Sequence, residues 1–216
     1  TSLGHMLKSV GRRDEAKEAY RRAIALEPRF GEPYWSLANL KTALDNIFSI
    51  YGPDIVSVHT TCLSEVIGDD IPMIIKKSIE DGIVPEGKTV IHANTPSFQG
   101  SHVTGFANQC EAFVKYLAES SGETRNVVNL LPGWVEPADM RELKRLAEAL
   151  GAPVTLATDT SDVLDGPFDG SYRMYPRGGT PVARLVALGD GKQTLSLGPM
   201  ASAAAAEALE KKCGVP

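Results

Sequence analysis

Cysteine is scarce: Cys62, Cys110 and Cys213 are the only three, far apart and without a Cys-x-x-Cys pair. That excludes a disulfide-stapled scaffold and argues against a zinc ribbon. No apolar run approaches the roughly 20 residues that a membrane-spanning helix needs. The opening Thr1-Ser2-Leu3-Gly4-His5 has neither the basic nor the apolar region of a secretory signal. A cytoplasmic protein with no membrane partner is therefore expected. The larger part of the chain lacks a basic stripe, so no nucleic-acid partner is expected either. The complete Gly-x-x-x-x-Gly-Lys-Ser/Thr phosphate loop is missing, which leaves Gly178-Gly179-Thr180 as a turn ahead of a helix.

What is present is ordinary for a globular chain: 216 residues, 43% hydrophobic and 23% charged, enough for one good core or one domain with a small appendage. Charge is spread unevenly. Residues 1–42 carry eight Lys/Arg against five Asp/Glu, while the remainder accounts for the negative balance behind a net charge of -5. Two segments of different origin are the simplest reading.

In the first segment Ala16, Tyr20, Ala23 and Leu26 repeat at steps of three and four, which places them on one helical face with Arg12, Arg13, Glu18, Arg21 and Arg22 turned to solvent. The order Leu3-Gly4, Ala16, Tyr20, Ala23, Pro28 resembles a tetratricopeptide repeat, an N-terminal helical hairpin. Tyr34, Leu37 and Ala38 fit the first helix of another repeat, and no second helix follows. One repeat and a half cannot bury a continuous core, because stacked repeats stabilise one another. The segment is expected to span residues 1–42.

From residue 43 to 216 short β-branched runs alternate with helical patterns. Strands are expected at Ile55–His59, Val90–Ala93, Val127–Leu131, Val154–Ala157 and Thr194–Leu197. Helices are expected at Leu44–Tyr51, Asp69–Asp81, His102–Glu119, Ala138–Leu150, Pro181–Leu188 and Ala201–Cys213, with glycine caps at Gly82, Gly122, Gly151, Gly189 and Gly214. This alternation predicts an α/β fold with a mainly parallel sheet and flanking helices. In such sheets ligands gather at the carboxyl ends of the strands.

Two strand ends carry reactive residues. One runs His59-Thr60-Thr61-Cys62-Leu63-Ser64-Glu65, with a helix expected to begin only after Ile67-Gly68. The other runs Asn94-Thr95-Pro96-Ser97-Phe98-Gln99-Gly100-Ser101-His102. If those strands are neighbours, a thiolate and a hydroxyl can converge on one bound group. By themselves these residues also fit a buried thiol and a turn serine. Cys110 shares a helix face with Val103, Phe106, Phe113 and Leu117 and reads as core, and Cys213 closes an alanine-rich helix. His59, His92 and His102 lack metal-ligand spacing, although His102 is near enough in sequence to the Ser97 loop to support a ligand there. Asp69 and Asp70 suit the first turn of a helix better than an acid–base pair.

The run from Tyr51-Gly-Pro-Asp through Cys62 to Gly68-Asp-Asp70, followed by Thr95-Pro-Ser97-Phe-Gln-Gly-Ser-His-Val-Thr-Gly105-Phe, resembles the β subunit of nitrogenase component 1, of the molybdenum-iron type. The likeness continues through Leu131-Pro-Gly-Trp134, Thr158–Asp165 and Met174–Thr180. It implies an oxidoreductase subunit that relays electrons for dinitrogen reduction through the P-cluster (8Fe-7S), an iron-sulfur cluster shared with the α subunit. By resemblance Cys62 matches a thiolate ligand of that cluster, and Ser97 a serine whose oxygen binds an oxidised cluster iron. Soft thiolate suits iron-sulfur clusters and a harder oxygen suits oxidised iron. The implied partners are the α subunit, a second αβ pair completing an α2β2 heterotetramer, and the ATP-dependent iron protein.

Further cluster cysteines of the family are expected upstream of Tyr51, where residues 1–42 stand here, and the family's later α/β domains are expected beyond Pro216. One thiolate and one hydroxyl are too few to retain a cluster that draws about four cysteines per unit, so the chain alone is expected to be inactive. Two other readings remain open. One is a tetratricopeptide-type binding module on an α/β scaffold. The other is a nitrogenase cofactor-assembly scaffold, against which Cys62 and Ser97 speak, since such paralogues tend to lack them.

Overall fold

The computed structural model describes residues 32–216 and, ahead of them, only Glu15; the repeat expected over Leu3–Pro28 lies outside the described residues. The chain divides between Gln99 and Gly100 into two compact units.

The first unit opens with helix α1 (Glu32–Tyr51). Leu40, Leu44, Ile47 and Phe48 recur at helical spacing, and Leu44 and Phe48 are buried in the unit's core. That periodicity carries the helix expected over Leu44–Tyr51 back to Glu32, unbroken through Lys41–Leu44. Strand β1 (Ile55–His59) follows, then a short helix α2 (Cys62–Ile67), helix α3 (Ile71–Glu80) and strand β2 (Thr89–Ala93). Helix α3 turns Ile71, Ile74, Ile75 and Ser78 inward. Its first turn is closed by Asp70, whose carboxylate accepts the Met73 amide at 3.2 Å, so this residue is the N-cap just ahead of the helix rather than a member of its first turn as expected. Strands β1 and β2 are parallel neighbours, paired from Ile55 opposite Thr89 to His59 opposite Ala93. Val56 and Val90 carry this pair onto the core built by α1 and α3.

Helix α2 corrects the sequence reading, which has a loop here. The hydroxyl of Thr61 accepts the Ser64 amide at 3.3 Å and the Ser64 hydroxyl accepts the Thr61 amide at 2.8 Å. This reciprocal cap satisfies the first amides of a helix too short to show any periodicity. Gly68, in the left-handed region at φ 91°, ends it.

The second unit contains α4 (His102–Leu117), β3 (Arg125–Leu131), α5 (Pro137–Ala149), β4 (Val154–Leu156), α6 (Val182–Val186), a 3-10 turn (Ala187–Asp190), β5 (Gly191–Ser196) and α7 (Ala203–Cys213). Its three strands form a parallel sheet in the order β4-β3-β5. The α/β class and the parallel pairing are as expected, but the strands belong to two sheets, one of two strands and one of three. On one side of the larger sheet Leu130, Leu156 and Met140 of α5 form a core. Helices α4 and α7 pack together, and small residues such as Ala107, Ala112 and Ala205 are buried on them. The Lys212 ammonium donates to the carbonyls of Val114 and Lys115 at 3.3 and 2.7 Å, capping the last turn of α4, where the Val114 carbonyl also accepts the Ala118 amide.

Gly189 departs from the capping role expected of it. It lies within the 3-10 turn, and a Cβ there would fall 2.2 Å from the Glu119 carbonyl oxygen, so glycine is required by close backbone approach. Among the described residues no helix is long and apolar enough to cross a membrane.

Candidate functional site

The parallel pairing of β1 and β2 brings their carboxyl ends together. Beyond the last paired residues, Thr60 donates its amide to the Ala93 carbonyl at 3.2 Å, extending the ladder by one bond. The Thr60 hydroxyl then accepts the Thr95 amide, and the Thr95 hydroxyl donates to the Thr60 carbonyl, both at 2.9 Å. This double bond between threonines locks one strand tip to the other. Thr60 is buried, so the lock is shielded from competing water.

Two residues past each of these threonines stand Cys62 and Ser97. Cys62 Sγ lies 2.7 Å from Ser97 Oγ, and the Ser97 amide donates to the same sulfur at 3.2 Å. Cys62 is half-buried and Ser97 exposed. The Ser97 hydroxyl, then the Ser97 amide, hold the Cys62 thiol below its ordinary range against the opposing effect of desolvation. A sulfur so placed is biased towards thiolate, the form that ligates metals. The structure thus brings together the two residues singled out in the sequence. It leaves a soft sulfur donor and a hard oxygen donor side by side at one rim.

The other candidates take structural roles. Cys110 is pushed up to about 11 by burial, against a weaker opposing hydrogen bond with Thr158, which keeps it a neutral thiol. Cys213 ends α7 at a left-handed Gly214, with φ 74°, and burial raises its thiol as well. His59 Nε2 lies 3.1 Å from Ser57 Oγ, and His92 Nε2 lies 2.9 Å from Asn94 Oδ1. The His102 ring meets Trp134 edge-on at 5.4 Å, and Phe106 meets the same indole at 5.1 Å. Thr180 fastens a turn: its hydroxyl accepts the Asp159 amide at 2.9 Å and donates to the Leu156 carbonyl.

Sequence reasoning missed a network in the second unit, on the loop that leaves the carboxyl end of β4. Lys144 of α5 donates at 2.7 Å both to Asp159 Oδ2 and to Ser161 Oγ. Asp159 Oδ1 accepts the Ser161 hydroxyl and amide at 2.6 and 2.8 Å. Burial alone would raise the Asp159 carboxyl, but Lys144 and Ser161 outweigh it and hold it below the ordinary carboxylate range. One turn earlier on α5, Arg141 takes Asp165 in a two-pronged grip and reaches Asp162 at 3.2 Å. The sequence shows Asp159, Asp162 and Asp165 interleaved with Ser and Thr, and two cations three residues apart at Arg141 and Lys144, but not that the two sets meet.

Among the described residues no group of three or more His, Cys, Asp or Glu is poised to hold a metal. By donor chemistry the Cys62–Ser97 pair, a thiolate beside a hydroxyl, fits part of the ligand set of an iron-sulfur cluster.

Comparison with known proteins identifies the family. The nitrogenase molybdenum-iron protein beta chain of Clostridium pasteurianum is 56% identical over 179 residues, 83% of this chain and 39% of its own length. That of Klebsiella pneumoniae is 42% identical over 165 residues, 74% of this chain and 32% of its own. The solved structure titled "Nitrogenase Cp1 at pH 6.5" superposes with a TM-score of 0.82 at 54% identity, covering 88% of this chain and 41% of that one. A second, "Nitrogenase Cp1 at pH 5", reaches 0.61 at 18% identity and shows the fold alone. This chain spans 39% and 32% of the length of those two beta chains and 41% of the first solved chain. The sequence profile of the nitrogenase component 1 type oxidoreductases matches residues 36–216, and the chain belongs to that family.

Proposed function

We propose that this chain is a portion of a molybdenum-iron-type nitrogenase β subunit, and that its Cys62–Ser97 rim contributes ligands to the P-cluster. What carries the reading is the 2.7 Å approach of Cys62 Sγ to Ser97 Oγ at the joined tips of β1 and β2. The family membership supports it. When bound, such a cluster supplies reversible electron storage and transfer. The chain's own residues set the terms for that chemistry: Cys62 offers thiolate, Ser97 offers an oxygen suited to more oxidised iron, and the Thr60–Thr95 lock fixes their spacing.

The partners in this reading are the α subunit, a second αβ pair in an α2β2 assembly, and an ATP-dependent iron protein as electron donor, in the cytoplasm. One thiolate and one hydroxyl do not retain a cluster alone. Anaerobic reconstitution of the chain with iron and sulfide is accordingly expected to leave less than stoichiometric iron after desalting. The decisive test places Cys62→Ala and Ser97→Ala separately in a complete β subunit co-expressed with its α partner. Cys62→Ala is expected to lower cluster iron, and Ser97→Ala to change the spectrum of the oxidised cluster only. Unchanged iron and unchanged spectra in both would sink the proposal.

The reading extends to the division of the chain into a tetratricopeptide-like segment, residues 1–42, and a partial β-subunit domain, residues 43–216. Helix α1 runs unbroken past residues 42 and 43, so the proposed boundary falls inside one helix. Its test is the genomic sequence read across codons 41–44: a continuous reading frame in independent clones supports a true fusion, and a discontinuity refutes it.

A further inference from the structure

The second unit has a cavity at the opposite end of its sheet from the strand carboxyl termini, where β3, β4 and β5 begin. Its volume is about 250 Å³, and its lining includes Arg125, Val127, Asn129, Thr155, Arg184 and Gly191. We infer that this cavity is a binding site for a small oxyanion, a phosphate- or carboxylate-bearing molecule.

Its floor is polar by construction. Register places Thr155 of β4, Asn129 of β3 and Thr194 of β5 in one row across the three strands, and residues paired in this way share a face of the sheet. Asn129 is 1% exposed and donates through Nδ2 to the Leu188 carbonyl at 2.8 Å. Gly191 leaves room for it, since a Cβ there would lie 2.4 Å from that same nitrogen. Thr155 is also buried. Thr194, the third member of that row, lies outside the cavity lining, and its hydroxyl oxygen is buried with no hydrogen-bond partner among the described residues.

The charge at the walls is of one sign. The lining holds two guanidiniums and no carboxylate. Arg125 is partly neutralised by Asp190, 3.3 Å away and buried, whose other oxygen accepts the Ser121 amide at 2.6 Å. Arg184 has no ion pair among the described residues, and its hydrogen bond is a long one, 3.5 Å to the Val154 carbonyl. The planar fork of an arginine suits phosphate and carboxylate alike. The size limits the ligand: cavities for drug-sized molecules run from about 300 Å³ upward, so this one takes something smaller. Since the whole chain carries -5, long-range attraction does not draw anions to it, and recognition rests on direct contact.

The test uses the full 216-residue chain. Inorganic phosphate and succinate are titrated by calorimetry, each against sodium chloride at matched ionic strength. Saturable binding of phosphate or succinate is expected, weakened roughly tenfold to a hundredfold in Arg184→Gln by loss of charge-assisted hydrogen bonds. A preference for phosphate points to a phosphate ester, and a preference for succinate to a carboxylic acid; both uphold the site. Should Arg184→Gln fail to fold, Arg184→Lys keeps the charge and loses the fork, and weaker binding is expected of it. Equal response to chloride, or affinity unchanged by the Arg184 substitution measured, overturns the inference. None of these outcomes bears on the cluster reading, which concerns the other unit.

Discussion

Replacing Lys144 by Met keeps the aliphatic stem of the side chain and removes only its charge and donors. Asp159 is then left with its side chain 7% exposed and Ser161 as its remaining partner. Stripping one member from a fully buried ion pair costs about 3–5 kcal/mol. Lys144 is itself 32% exposed, so water replaces part of what it supplied. The expected loss is about 2 kcal/mol, in the range of a hydrogen bond to a charged group. With a urea slope of about 2 kcal/mol/M, the midpoint of unfolding should fall by roughly 1 M. The pH dependence identifies the mechanism. The Asp159 carboxyl is held below its ordinary value in the folded chain. Its contribution is therefore fully present above the unfolded value near 3.9, and is lost as pH falls through the folded value. Wild type and Lys144→Met should differ by the same amount at pH 7 and pH 5, and converge below about pH 4. A difference that persists unchanged into that acidic range, or one of under about 0.5 kcal/mol at neutral pH, would refute the assignment.

Further outcomes are expected elsewhere. Ser97→Ala should raise the Cys62 thiol towards its free value, seen as slower alkylation of Cys62 by iodoacetamide at neutral pH, with Cys110 unchanged; equal rates would mean that Ser97 does not activate the sulfur. Gly189→Ala should destabilise the chain by about 1–3 kcal/mol or more. Adding Cys213→Ala should not relieve it, because the 2.2 Å clash is with the Glu119 backbone and not only with the thiol; rescue by the double substitution would locate the strain at the sulfur instead. Met140→Ala should cost about 2–5 kcal/mol in chemical denaturation, since this side chain fills the core beside Leu130 and Leu156 and its sulfur accepts the Thr160 amide.

Much of the strand pattern was legible because β-branched runs such as Ile55–Val58 and Val127–Leu131 have no good alternative conformation. The juxtaposition of the Cys62 and Ser97 loops was legible only on the condition that their strands are neighbours, a condition that the β1–β2 pairing meets. Helix α2 was not legible: six residues are too few for a periodic signal, and its start depends on a local exchange between Thr61 and Ser64. The division into two sheets was hidden too, because strand partners are chosen by long-range packing. The Lys144–Asp159–Ser161 network escaped for the same reason, its members being separated by a strand and a loop. Gly189 was misread as a cap because proximity to Glu119 has no trace in local sequence.

The threonine lock between the strand tips has one more consequence. A parallel pair can slide by two residues without turning its apolar side outward, so packing alone polices such an error weakly. A slip of that kind would carry one tip past the other by about 6.6 Å, stranding the sulfur and the hydroxyl beyond each other's reach. Thr60 and Thr95 meet correctly in only one alignment, so they act as a vernier for a distance that the hydrophobic interior cannot measure.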